Sequence, residues 1–281
     1  TMTAPRHPFA YRDFRYLWMA RVCAMLAHSG LVVALGWAVY DEARLSMGIG
    51  AAALRLGLIG LVQFLPILLL SPVTGLAADR FDRRQVVRLA LLGQFLCPAA
   101  LTLMEMGPGQ TLYALYGAAA LFAAARAFYM PAMNALPAAL VPRETLPQAI
   151  AFSAIAGRVG GILGPVLGGF AYAGGAVWAF ALCAALLATA ILLQFQIRPI
   201  VQRPIQGDRR ALAQMIEGFH YVMGKRLLLG AISLDMFAVL LGGTNVLTRG
   251  FDIDETLGLE LIAAIRDSKG LFSLRADVMN Q

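Results

Sequence analysis

Charge is the first thing this sequence has little of. Asp, Glu, Lys and Arg make up only 14% of its 281 residues, while hydrophobic residues make up 59%. Soluble domains carry about 25% charged residues, so an ordinary soluble fold is excluded and a membrane explanation is required. Cysteine is scarce too. Cys23, Cys97 and Cys183 each fall within an apolar run and none has C-x-x-C spacing. That excludes a disulfide framework or a zinc site and leaves packed or lipid-facing thiols. Paired carboxylates, a nucleophile–base set and a phosphate-cradling loop are also missing, which counts against an enzyme. No cofactor and no metal are expected. Asp252, Asp254 and Glu255 cluster near the C-terminus, but without a glycine turn or further ligands they read as a solvated acidic patch rather than a cation site. The net charge of +7 raises the question of nucleic acid. Its basic residues are scattered through short segments between apolar runs instead of forming one stripe, so nucleic acid is not an expected partner.

What the sequence has in abundance is membrane-length apolar runs. Spans are expected at about 16–40, 54–78, 86–106, 111–133, 147–172, 176–195 and 227–247. At 1.5 Å rise per residue, about 20 residues cross a ~30 Å hydrocarbon core. The fold class expected is therefore an all-α polytopic membrane protein. Residues 1–15 form a basic N-terminal segment, 16–195 a six-helix transmembrane bundle, and 41–53 a polar Gly/Ala-rich connection. Residues 196–226 form a basic linker, in which Leu212, Met215, Ile216, Phe219 and Val222 recur at the spacing of an amphipathic surface helix. A seventh span covers 227–247, and a polar tail, 248–281, cannot cross again.

Loop charge sets the expected orientation. One face collects Arg6, Arg12, Arg15, Arg80, Arg83, Arg84, Arg88, Arg143, Arg198, Arg203, Arg209, Arg210, Lys225 and Arg226, and before the tail the other has Arg44 and Arg55. The positive-inside rule places the N-terminus in the cytoplasm. The expected setting is the lipid bilayer of a bacterial inner membrane, crossed many times.

The densest charge knot is Gly75-Leu-Ala-Ala-Asp79-Arg80-Phe-Asp82-Arg83-Arg84, between two apolar runs. It reads as a tight turn at the inner bilayer face, with Gly75 allowing two helices to approach closely. This pattern resembles the loop between helices 2 and 3 that identifies the major facilitator superfamily of secondary transporters. The resemblance implies two inverted three-helix repeats within the six-helix bundle. A short echo agrees with this, Pro72-Val-Thr-Gly75 in the second span and Pro165-Val-Leu-Gly168 in the fifth. It also implies a gating role for Gly75, Asp79, Arg80, Arg83 and Arg84, with Asp79 closing on a helix of the other half; in the absence of that helix, Asp79 is expected to pair with Arg80, Arg83 or Arg84 or to stay solvated.

The fifth span has a ridge of Gly160, Gly164 and Gly168, four residues apart, beside Pro165 and Gly169. Such a ridge lets a neighbouring helix come almost to backbone contact. It resembles the glycine–proline motif of exporters in the superfamily. Three ionisable residues within spans are candidates for substrate or proton coupling: Arg126 in the fourth, Arg158 in the fifth and Asp235 in the seventh. A mid-membrane arginine costs about 2.5–3.5 kcal/mol on insertion scales, so it should face a polar interior or a partner. Arg158 is expected to be buried, meeting an anionic substrate or pairing with Asp235. Arg21 and His28 in the first span are weaker candidates, and His28 reads either as a hydrogen-bonded packer or as a titrating group.

Phe14-Arg-Tyr-Leu-Trp18, Gly36-Trp37-Ala-Val-Tyr40, Gly60-Leu-Val-Gln-Phe-Leu-Pro66 and Met130-Pro-Ala-Met-Asn134 are similar to the enterobactin-exporter-like and macrolide-efflux-like branch. What that resemblance implies is proton-driven efflux of a small organic molecule, a drug, siderophore or metabolite, by alternating access. Its members have twelve helices, and this sequence leaves the pattern at Thr248. The expectation is an N-terminal half plus one helix, acting with a second chain that supplies the missing half, or else a truncated, non-transporting membrane fragment.

Overall fold

The computed structural model describes residues 7–46, 48–107 and 111–198. Within them run α1 (Arg12–Ser46), α2 (Ile49–Arg80), α3 (Arg83–Met106), α4 (Leu112–Ala135), the one-turn α5 (Pro137–Leu140), α6 (Leu146–Ala173) and α7 (Ala176–Phe195). Six of these are long and apolar enough to cross a membrane. The linker helix, the seventh span, Asp235 and the tail lie outside the described residues.

Local chemistry sets the boundaries. The Asp82 carboxylate accepts the Arg84 N–H at 2.9 Å and starts α3, and Thr111 Oγ1 accepts the Ala114 N–H at 3.3 Å and starts α4. Pro137 has no N–H to continue α4, so the chain steps into α5. Gly175, at φ +123°, makes the turn from α6 to α7, a backbone state that glycine adopts at little cost. Two expected boundaries move. The polar stretch 41–53 is not a loop but largely helix, because Ala43 and Ala52 bury themselves and Tyr172 Oη donates to Asp41 Oδ2 at 2.9 Å. The charge knot is likewise mostly helix, since α2 runs to Arg80 and only Phe81 and Asp82 turn.

The packing repeats itself. α1 packs on α6 and α7, α4 packs on α2 and α3, and α3 packs on α7. Exchanging α1 with α4, α2 with α6 and α3 with α7 maps this pattern onto itself. Because α1 and α4 run in opposite directions, the two three-helix units are inverted. The α1 strut is the most enclosed of the six spans. On one face its start meets α6, where Trp18 Nε1 donates to the Phe152 carbonyl at 2.9 Å amid the rings of Phe9 and Phe14. On the opposite face Tyr116 Oη holds the Arg55 carbonyl at 2.8 Å, joining α4 to α2.

The glycine ridge of α6 lies directly on α1. A Cβ added at Gly164 would stand 2.6 Å from Ser29 Cβ and 2.8 Å from the Leu26 carbonyl oxygen. At Gly168 it would stand 2.5 Å from the Gly30 oxygen, and at Gly160 it would run into Met25. Gly169 lies off the ridge, with nothing near. The close approach expected at Gly75 is not seen: nothing lies within 4 Å of a Cβ there. Gly75 therefore does not bring two described helices together. α2 packs on α4, and the hydrogen bond that joins them, from Tyr116 Oη to the Arg55 carbonyl, lies twenty residues before Gly75.

These distances generate a paired expectation. Gly164→Leu must push α1 and α6 apart, and overpacking of this kind costs about 1–3 kcal/mol. The thermal unfolding midpoint in detergent should fall clearly. Gly161→Leu, one residue off the ridge with nothing within 4 Å, should leave it nearly unchanged. Equal shifts for both substitutions would contradict the crossing.

Candidate functional site

A seam of polar side chains runs between α1 and α4, at mid-depth in the bundle. Its floor is His28 on α1, 1% exposed, whose Nε2 is hydrogen-bonded to Oε1 of Gln94 on α3, itself fully buried. The rings of Phe122 and Tyr129 on α4 meet the imidazole edge-on, at centroid distances of 5.5 and 5.2 Å. One His–Gln bond thus ties α1 to α3, and two ring contacts tie α1 to α4. Three polar atoms in this floor are buried without a partner: His28 Nδ1, Gln94 Nε2 and Tyr129 Oη. Buried polar atoms are normally paired, so the floor retains unused hydrogen-bonding capacity.

Two arginines flank it. Arg126, one turn before Tyr129 on α4, is half-buried and an electrostatic neighbour of His28. Among the described residues it makes no hydrogen bond or ion pair. Arg21 on α1 lies nearer the N-terminal face, where its Nη2 donates to Asn134 Oδ1 at 2.7 Å while its Nε is buried without a partner. Asn134 is exposed, so the seam opens to the surroundings at that end. Arg21 and Asn134 were the quieter residues in the sequence. Only the i, i+4, i+8 run of Arg126, Met130 and Asn134 along α4 could have pointed to a shared polar face.

The other candidates are placed differently. Arg158 is exposed rather than buried. At 100° per residue it sits about 200° around α6 from Gly160, on the side turned away from α1, so the structure does not bring it to the seam. Arg84 is buried, and its Nη2 donates to the Ile197 carbonyl just beyond α7. Arg88 adds a 3.0 Å bond to the Gln194 carbonyl and lies 4.6 Å from the Phe195 ring centroid. Two cations thus close the C-terminal end of α7, where the helix dipole favours them. Arg83 and Arg80 stand at either side of the turn, and the side chains of Asp79 and Arg80 lie outside the described set. A separate apolar cleft of about 390 Å³ lies against the outer half of α1, lined by Val33, Gly36, Trp37, Tyr40 and Leu56.

The family model of the Major Facilitator Superfamily matches residues 17–266. The chain belongs to that superfamily. The match continues past Thr248, where the sequence pattern was expected to stop. Among relatives, the enterobactin exporter EntS of Escherichia coli O1:K1 is 28% identical over 236 residues, which cover 83% of this chain and 55% of the exporter. The uncharacterized MFS-type transporter YfiS of Bacillus subtilis is 33% identical over 119 residues, 42% of this chain and 27% of that protein. The chain thus spans from about a quarter to about half the length of these relatives. Among solved structures, the POT family transporter PepTSo aligns with a TM-score of 0.61 at 18% identity, over 73% of this chain and 40% of its own. The D-xylose-proton symporter aligns at 0.58 and 16%, over 82% and 57%. These likenesses establish the fold, an all-α polytopic membrane protein surrounded by lipid, within an enterobactin-exporter-like branch of a family of transporters.

The His28–Gln94 pair makes a testable energetic statement. Removing one partner strands the other, at a cost of about 1–3 kcal/mol, whereas removing both relieves that cost. His28→Leu and Gln94→Leu should each lower thermal stability in detergent. The double variant should lose much less than their sum, and strict additivity would show that the pair is not coupled.

Proposed function

We propose that this chain is the N-terminal half of a secondary transporter that exports a small organic molecule across a bacterial inner membrane, driven by protons. The N-terminus lies in the cytoplasm, and the face carrying the α2–α3 turn is the cytoplasmic one. The observation that carries this reading is the likeness to enterobactin exporters over 83% of the chain, joined to an inverted-repeat bundle whose mid-depth seam is polar.

In this reading the bundle is one wall of a midplane site. Export proceeds by rocking against a second wall, and a ligand shifts the two states only by its differential affinity for them. The α1–α6 glycine crossing keeps α1 in register while the wall moves as a unit. Residues Gly75, Asp79, Arg80, Arg83 and Arg84 form the cytoplasmic gate region. Arg84 anchors it to α7, and Asp79 is left to meet the opposing half. The other wall of that site is a second six-helix half, and this chain spans 55% of the length of the exporter it resembles.

Everted membrane vesicles test this with enterobactin as the probe. Vesicles holding this chain together with the C-terminal half of an enterobactin exporter should accumulate the probe several-fold above control vesicles. A protonophore should abolish that accumulation. Accumulation that persists without a proton gradient would refute the coupling, and none in any combination would refute the export reading.

A further inference from the structure

We infer that the α1–α4 seam selects organic anions; this names the substrate class of the site proposed above and rests on that reading. The argument is one of charge balance inside a low-dielectric bundle. Arg126 and Arg21 are both set into the seam, and neither faces a carboxylate among the described residues. Every Asp and Glu of the described helices lies in a first turn, in the last two turns or in a connection. The middle of the described bundle therefore carries positive charge only. Arg126 is half-buried and, among the described residues, no hydrogen bond or carboxylate offsets its desolvation.

Beside it, Tyr129 Oη and His28 Nδ1 are buried and unpartnered, as is Nε of Arg21. With Nε2 donating to Gln94, Nδ1 of a neutral His28 is an acceptor, which suits a ligand hydroxyl or a bridging water. Tyr129 and Arg21 supply donors for oxygen atoms. Aromatic edges from Phe122 and Tyr129 already enclose this region. A carboxylate, sulfonate or phenolate attached to an apolar body would neutralise Arg126 by a charge-assisted hydrogen bond. A neutral molecule would leave that cation uncompensated, and a cationic one would be repelled. The seam opens beside Asn134, the exposed partner of Arg21, so entry is from the face that carries the α2–α3 turn.

Equilibrium dialysis on the purified full chain in phosphatidylcholine nanodiscs, with empty nanodiscs subtracted, tests this without a gradient or a second half. The probes are naphthalene-2-sulfonate and its uncharged isostere naphthalene-2-sulfonamide. The sulfonate should bind at least about tenfold tighter. Arg126→Gln should erase that preference, Arg126→Lys should keep part of it, and Arg55→Gln, at the far end of α2, should leave it intact. Equal binding of the two probes, binding of neither, or a preference that survives Arg126→Gln would overturn the inference. A second readout guards against misfolding. Without probe, Arg126→Gln should unfold at the same temperature as the parent chain or higher, because an uncompensated cation has been removed. A clear fall would show that Arg126 already has an anionic partner, and would also overturn it. Failure here leaves the export assay standing, and a silent export assay leaves this binding preference standing.

Discussion

Backbone contact between α1 and α6 is the constraint on which the rest of the bundle depends. In a bilayer the hydrophobic effect does not press helices together, so association rests on close packing and on interhelical hydrogen bonds. Gly160, Gly164 and Gly168 remove three side chains from one ridge, and Gly30 removes one from the facing helix. Even a Cβ at Gly168 would come within 2.5 Å of the Gly30 oxygen. Once α1 is seated there, its other faces are committed to α7 and to the His28 contacts with α3 and α4. The polar seam exists because α1 is held this tightly on its opposite side.

Polar groups follow from the same constraint. Backbone polar groups are satisfied within helices, as lipid demands, and the remaining polar side chains work at junctions. Arg84 and Arg88 close the end of α7, Tyr172 joins α6 to Asp41, and Tyr116 joins α4 to α2. Each links elements distant in sequence and near the same end of the bundle. At mid-depth the pattern changes. There three buried atoms of one cluster, on His28, Gln94 and Tyr129, have no partner among the described residues, which is costly for folding and useful to a protein that must meet a polar ligand in the membrane.

Much of this was legible in the residues. Apolar run length gave six helices, and glycine spacing gave the α6 ridge, because both are one-dimensional patterns with a direct structural meaning. Boundaries were less legible: Asp41 to Ala53 looks polar, yet it continues two helices because Ala43 and Ala52 are buried by neighbours the sequence does not reveal. Arg158 shows the same gap. A charge inside an apolar run suggests burial, but Arg158 sits about 200° around α6 from Gly160 and so faces away from α1. The close approach expected at Gly75 was illegible for a related reason. A four-residue likeness to Gly168 cannot say whether a partner helix stands opposite. Arg21, His28, Gln94 and Asn134 became a site only when three helices brought them together.

The central claim is that α1 runs at mid-depth between α6 and α7, and one distance tests it directly. A Cβ placed at Gly30 would lie 3.6 Å from the Sγ of native Cys183 on α7 and 3.1 Å from the Gly164 carbonyl oxygen, so a shift of a few tenths of an ångström seats it within reach of a disulfide. The chain carrying Gly30→Cys, with Cys23→Ala and Cys97→Ala to remove competing thiols, should form that cross-link under mild oxidation. Intact mass should fall by about 2 Da and both thiols should become inert to maleimide. If both thiols stay free and label independently after oxidation, α1 is not where this account places it.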